Sequence, residues 1–222
     1  FSFAPSVWAW RPSRAKKVAN LYNHLLTILP FEPQYFTVFG LPTTFVGHPV
    51  IESEAKAANG LNFRKLKNIK SDELLLVILP GSRPTEVKRH ISVFKKALTK
   101  LKEKIGKFRA ICIVNENTKS LVLGSATTWP FDYEIVDDSK IKYDAMAAAN
   151  IALAASGTVS VELACVGTPS IIAYRINPAS AWIAKKMIRV RFANIINLIL
   201  NREAIPEHIQ GKCNPDTLCH SL

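Results

Sequence analysis

The chain has 222 residues, 48% hydrophobic and 21% charged, enough to bury the core of one domain or of one and a part, and too apolar to stay disordered. Its 29 Lys and Arg against 17 Asp and Glu give +12, which favours an anionic partner such as a nucleotide, a phosphorylated metabolite, a phospholipid surface or a nucleic acid. No apolar run of about 18 residues offers a spanning helix, the opening Phe1-Ser2-Phe3-Ala4-Pro5 lacks the charged start of a secretory signal, and the four cysteines have no zinc-type spacing, so a reduced, cytoplasmic setting is expected.

In chain order, apolar runs at 25–29, 45–46, 74–79, 110–114, 134–136, 151–155 and 170–173 predict strands, and helical patterns lie between them. This alternation specifies an α/β fold built on a parallel sheet. Ahead of the first strand, Trp8, Trp10, Arg11, Arg14, Lys16 and Lys17 suit an anionic membrane surface, with Val18, Leu21, Tyr22 and Leu25 pointing inward; a helix packed on its own sheet fits equally well. Gly47-His48-Pro49 then breaks the pattern, and the stretch that follows is polar and rich in Lys and Asn. Residues 1–47 are therefore read as the tail of one α/β domain, 48–73 as a linker and 74–222 as a second domain. The clearest helix covers 86–105, where Val87, Ile91, Phe94, Leu98, Leu101 and Ile105 form one apolar stripe. His24, His48 and His90 are read as structural or exposed, not catalytic. Asp137-Asp138 is followed by Ser139-Lys140, and no metal is expected there. The positive residues are dispersed without a recognition motif, which sets nucleic acid aside.

Two strand-turn-helix passages carry chemistry. In Leu79-Pro80-Gly81-Ser82-Arg83-Pro84-Thr85-Glu86 a glycine precedes a helix start, whose unpaired N–H groups attract a diphosphate. Gly81 removes a side chain from the approach, Ser82 offers a hydroxyl, and the Arg83 guanidinium suits phosphate oxygens and a departing diphosphate. The alternative is an ordinary capped turn, with Arg83 in solvent and Glu86 supporting the cap. In Ala155-Ser156-Gly157-Thr158-Val159-Ser160-Val161-Glu162, the carboxylate of Glu162 lies one helical turn past Thr158 among apolar neighbours and needs a partner. The vicinal hydroxyls of a ribose fit; backbone N–H groups or Arg175 are the bland alternative. Two such turns at the carboxyl ends of strands in one sheet favour a nucleotide crevice along that edge.

Pro5-Ser6-Val7-Trp8-Ala9-Trp10-Arg11, Leu29-Pro30-Phe31-Glu32, Val46-Gly47-His48-Pro49, Leu79-Pro80-Gly81-Ser82-Arg83 with Glu86, Ala155-Ser156-Gly157-Thr158 with Glu162, and Tyr174-Arg175 resemble, in order and spacing, the landmarks of the lipid-A-disaccharide synthase family. The resemblance implies a GT-B fold of two Rossmann-like domains, the second holding UDP-2,3-diacylglucosamine. It implies inverting transfer to 2,3-diacylglucosamine 1-phosphate at the cytoplasmic side of the inner membrane of a Gram-negative bacterium. It implies UDP contacts from Gly81, Ser82, Arg83, Ser156, Gly157, Thr158, Glu162, Arg175 and Asn197, with Arg83 stabilising the leaving group and with no metal or cofactor. Later, Pro206-Glu207 and Gln210 match as well, whereas Asn150 stands where the family usually carries Asp, and Ile195-Ile196 where it carries Leu-Pro before Asn197. The family's upstream Gly-rich segment, with its general base, and its terminal helices, which build an intertwined dimer, are not seen in this sequence. A fragment inactive by itself is therefore expected, with a homodimer possible for the full-length form. The competing readings are another UDP-sugar enzyme of the same fold, such as a UDP-GlcNAc 2-epimerase or a peptidoglycan glycosyltransferase, and a truncated, non-catalytic nucleotide-binding module.

Overall fold

A computed structural model describes residues 2–10, 13–155, 157–177, 181 and 190–222; Ser156 and Arg11, both singled out above, lie outside them. The strands fall into two parallel sheets.

The smaller sheet has the order β1 (Ser2–Phe3), β2 (Leu25–Thr27), β3 (Thr43–Phe45). With it go α1 (Val7–Trp10), α2 (Arg14–Ala19) and α3 (Gln34–Thr37), around a core of Val7, Ala15, Leu25, Phe36 and Leu41. Glu32 explains why two distant landmarks belong together. Its buried carboxylate accepts the Ile28 and Leu29 amides at 3.1 and 2.9 Å and the Trp8 indole N–H at 2.9 Å, while Trp8 stands edge-on to Phe31. Trp8 is thus committed inward, not to a membrane. Leu21 departs from expectation in the opposite direction, being 73% exposed, because α2 ends at Ala19 and the helical periodicity stops before it.

Between the sheets run two 3-10 turns, Pro49–Glu52 and Glu54–Ala57, and α4 (Gly60–Leu66). The stretch from α4 onward belongs physically with the larger sheet, since Phe63 and Ile69 are buried in its core. Arg64 ties it down by donating to the carbonyls of Ala148, Lys70 and Glu73 and to Asn150 Oδ1, at 2.8 to 3.0 Å.

The larger sheet comprises β4 (Leu75–Leu79), β5 (Arg109–Ile113), β6 (Asp132–Val136), β7 (Ile151–Ala154), β8 (Ser170–Tyr174) and β9 (Glu207–Ile209) in the order β6-β5-β4-β7-β8-β9. Every residue of β4 is buried, because helices cover both faces and a central parallel strand reads as a continuous apolar run. Leu76 and Ile78 face the layer of α5 (Pro84–Ile105), α6 (Glu116–Ala126) and the last helix, named α10 below (Pro215–Ser221); Leu75, Val77 and Leu79 face α4, α7 (Lys142–Ala148) and α8 (Val159–Cys165). The remaining helix, α9 (Ile195–Leu200), precedes β9. Along α5 the expected stripe is buried at Val87, Phe94, Leu98 and Leu101, but Ile105 is 49% exposed, where Gly106 at φ +83° turns the chain away.

Connections from β4 run outward through β5 to β6 on one side, and from β7 through β8 to β9 on the other. The order therefore reverses between β4 and β7, neighbours in register at Leu79 and Ala154. A crevice opens at such a switch point beyond the carboxyl ends of the strands.

Candidate functional site

Both glycine turns leave these two strands. After β4, Gly81 has φ +125°, and a Cβ there would lie 2.7 Å from the Glu86 Cβ and 2.9 Å from its Oε2. The reason is local. Glu86, one turn into α5, folds its carboxylate back so that Oε2 accepts the Ser82 and Arg83 amides at 3.2 and 3.3 Å. The amides expected to receive a diphosphate are thus satisfied by an internal anion that fills the electropositive end of the helix. Pro84 follows as the first helical residue and brings no N–H. What this turn offers to solvent is side chains: Ser82 is exposed, and Arg83 is 76% exposed with Nη1 donating to Glu86 Oε1 at 3.1 Å. Asn115, at the end of β5, donates to the Ser82 carbonyl at 2.9 Å and braces the turn.

After β7 the second turn is built differently. Gly157 has φ +142°, yet no atom of the described residues lies within 4 Å of where a Cβ would be, and both Gly157 and Thr158 are exposed. Among the described residues their amides have no hydrogen-bond partner. Glu162 lies one turn into α8, with its side chain 15% exposed. Lys142, the first residue of α7, reaches both of its oxygens, at 2.8 and 2.7 Å, and the Tyr143 hydroxyl donates to Oε1 at 3.3 Å. Neither backbone amides nor Arg175 take this role, and the sequence gives little hint of Lys142. A cation at a helix amino end is locally unfavourable, which is the one signal it leaves.

Arg175 follows β8, the next strand along the edge. Its positive charge lies beside the Cys213 thiol, which burial pushes up and Arg175 partly restrains, and its amide N–H donates to His90 Nε2 at 2.9 Å. The structure thus gathers Gly81, Ser82, Arg83, Gly157, Thr158, Glu162 and Arg175 along three adjacent strand ends.

Asn197, expected at the nucleotide, is engaged within the chain itself. It is fully buried, with Nδ2 donating to the Ile205 carbonyl and Glu207 Oε1, both at 2.7 Å, and Oδ1 accepting the Ala204 and Ile205 amides at 2.8 and 2.9 Å. Every polar atom of its amide is committed to the return from α9 to β9. Glu207 completes that staple by accepting the Ala193 and Asn194 amides at 2.8 and 3.0 Å. Asp137 pairs with Lys119, which holds its carboxyl below the usual range, and Asp138 accepts the Lys140 amide at 2.8 Å.

The larger sheet and its flanking layers recur in known proteins of the GT-B glycosyltransferase architecture. MurG from Acinetobacter baumannii superposes with a TM-score of 0.56 at 12% identity, over 92% of this chain and 52% of that one. UDP-GlcNAc 2-epimerase from Neisseria meningitidis, bound to UDP-GlcNAc, superposes with a TM-score of 0.52 at 13% identity, over 82% of this chain and 53% of that one. These likenesses are of fold. In sequence, lipid-A-disaccharide synthase from Rhodospirillum centenum is 45% identical over 97% of this chain and 54% of its own length. The chain spans about half the length of the curated relatives it matches. The family model described as lipid-A-disaccharide synthetase matches residues 1–221, and the chain belongs to that family.

Proposed function

We propose that the chain serves an inverting glycosyl transfer from UDP-2,3-diacylglucosamine to 2,3-diacylglucosamine 1-phosphate, releasing UDP and lipid A disaccharide 1-phosphate. Family membership supports this reading, and one observation carries it: two glycine turns leave adjacent strands at the switch point, with Glu162 one helical turn beyond the second. The epimerase of like fold is itself bound to UDP-GlcNAc.

Arg83 swings from Glu86 to the diphosphate, at little cost because an exposed ion pair is weak. Ser82 donates its hydroxyl to the same group. Glu162 turns an oxygen to the ribose hydroxyls while Lys142 keeps the charge compensated. The acceptor hydroxyl attacks the anomeric carbon opposite the departing UDP, the sugar-to-phosphate bond breaks, and its electrons settle on the diphosphate, where Arg83 stabilises them. The proton of the attacking hydroxyl passes to a general base that lies outside the described residues. Calorimetry tests the reading: UDP binds without magnesium, and absence of heat, or heat only with metal, overturns it. Thin-layer assay with both lipids separates an enzyme from a binding module that retains UDP affinity without turnover.

A second reading, contact with an anionic membrane at the cytoplasmic face of the inner membrane, is favoured by a depression of about 510 Å³ lined by Ser13, Gln34, Tyr35, Val38 and Phe39. Val38 is 72% exposed, and the depression begins beside α2, which carries Lys16 and Lys17. Sedimentation with anionic vesicles is expected for the wild type and reduced in Val38→Asp; equal sedimentation with neutral vesicles overturns it.

A further inference from the structure

His90 has no part in the steps above, yet it is wholly buried beside them in the second turn of α5. Its ring stacks on Phe94 with centroids 5.7 Å apart and tilts against Tyr174 at 5.4 Å. The two ring nitrogens touch the backbone just beyond two different strands. Nδ1 lies 2.9 Å from the Pro80 carbonyl oxygen after β4, and Nε2 lies 2.9 Å from the Arg175 nitrogen after β8. A carbonyl only accepts and an amide N–H only donates, so the ring is neutral, with its proton on Nδ1 and a lone pair on Nε2. Because β7 lies between β4 and β8, this ring spans the strand exit that carries the Gly157 turn.

We propose that His90 is a positioning residue of the sugar-nucleotide site: as the neutral Nδ1–H ring it sets the spacing between the Gly81 turn and Arg175, and its protonation undoes that spacing and weakens UDP-sugar binding. The inference rests on the sugar-nucleotide reading. A leucine would fill the same apolar slot between Phe94 and Tyr174, so packing alone does not account for two backbone contacts to separate strand exits. A doubly protonated ring has no acceptor at Nε2, leaving the Arg175 amide facing an N–H.

Burial pulls the ring's pKa below the usual histidine value; Arg89 acts in the same direction, while the bonds to Pro80 and Arg175 and the charge of Glu86 oppose it. The Tyr174 phenol and Arg175 face it from β8, and Arg83 lies near Tyr174 from the turn. With the folded value below the unfolded one, the stability this group contributes is complete above an unfolded pKa of about 6.5 and is lost as pH falls toward the folded value.

The test uses the 222-residue chain and UDP-GlcNAc, whose diphosphate diester keeps its charge over the range, at about pH 8 and about pH 5. His90→Leu, with no polar atom, is expected to bind weakly at both. His90→Gln, which offers a donor and an acceptor that do not titrate, rescues binding and removes the acid loss. Wild type is expected to weaken roughly fivefold more than His90→Gln across that range, the worth of one hydrogen bond. Identical pH profiles for wild type and His90→Gln, or wild-type affinity in His90→Leu, overturn the proposal. Nitrogen-15 shifts of the ring test the tautomer directly: a proton on Nε2 at neutral pH overturns the proposal without reference to binding. If UDP-GlcNAc fails to bind wild type at either pH, the sugar-nucleotide reading falls, and the ring shifts alone then decide whether His90 links the two strand exits.

Discussion

The turns at Gly81 and Gly157 look alike in sequence and occupy equivalent places on neighbouring strands, yet one is filled and the other is open. At Gly81 the glycine makes room for a carboxylate of the protein itself, which takes the Ser82 and Arg83 amides. At Gly157 none of the described residues occupies that space, and among them only the backbone angle calls for glycine. The same residue type thus answers two different demands. The first turn is preorganised and presents side chains; the second presents backbone and leaves its carboxylate, Glu162, in the keeping of a lysine.

The largest effect should come from Gly81→Ala. A Cβ at 2.7 Å from Glu86 adds overpacking to an unfavourable φ, and a loss of about 3 kcal/mol in urea unfolding is expected, against about 1 to 2 kcal/mol for Gly157→Ala. Equal losses would remove the distinction between the turns. Next, Arg83→Ala should weaken UDP by about 1.5 to 3 kcal/mol, roughly tenfold to a hundredfold, and leave uridine nearly unchanged. Unaltered UDP affinity would make Arg83 a solvated cap residue. Glu162→Gln should weaken UDP and uridine alike, by roughly tenfold, with 2′,3′-dideoxyuridine binding both proteins about equally. If that variant unfolds without a ligand-specific effect, Glu162 is a scaffold partner of Lys142. The smallest effect concerns acid: the urea midpoint of wild type should fall more than that of His90→Gln as pH drops below about 6.5. Parallel curves would show that protonation at His90 is not coupled to folding.

What can be read from the sequence follows from how locally each feature is determined. β4 is legible because burial on both faces leaves an unbroken apolar run from Leu75 to Leu79. β9 is not, since only His208 of its three residues is buried and Glu207 is spent on the start of α9. Glu86 is readable at capping spacing from Arg83, but not the closeness of its carboxylate to Gly81. Lys142 stays hidden because it meets Glu162 only after the chain passes through α7, β7 and the second turn. Asn197 stands out by resemblance, and its task becomes visible only with the 204–207 return in place. Local pattern locates elements and turns; partners brought by crossover connections do not appear in it.

The crossing between the sheets has a mechanical consequence. The Val46 amide is held by the Thr27 carbonyl of the small sheet at 2.9 Å, and the Val50 amide by His48 Nδ1 at 3.3 Å, at the start of the turns that lead into α4. Farther on, a Cβ at Gly60 would lie 2.5 Å from the Ala147 backbone, so α4 and α7 sit too close to slide. Between these anchored stretches stands Gly47, at φ +86° with no atom of the described residues within 4 Å of where a Cβ would be. Torque applied to the three-stranded sheet would therefore be taken up over very few bonds, making Gly47 the axle on which the smaller sheet could turn against the larger.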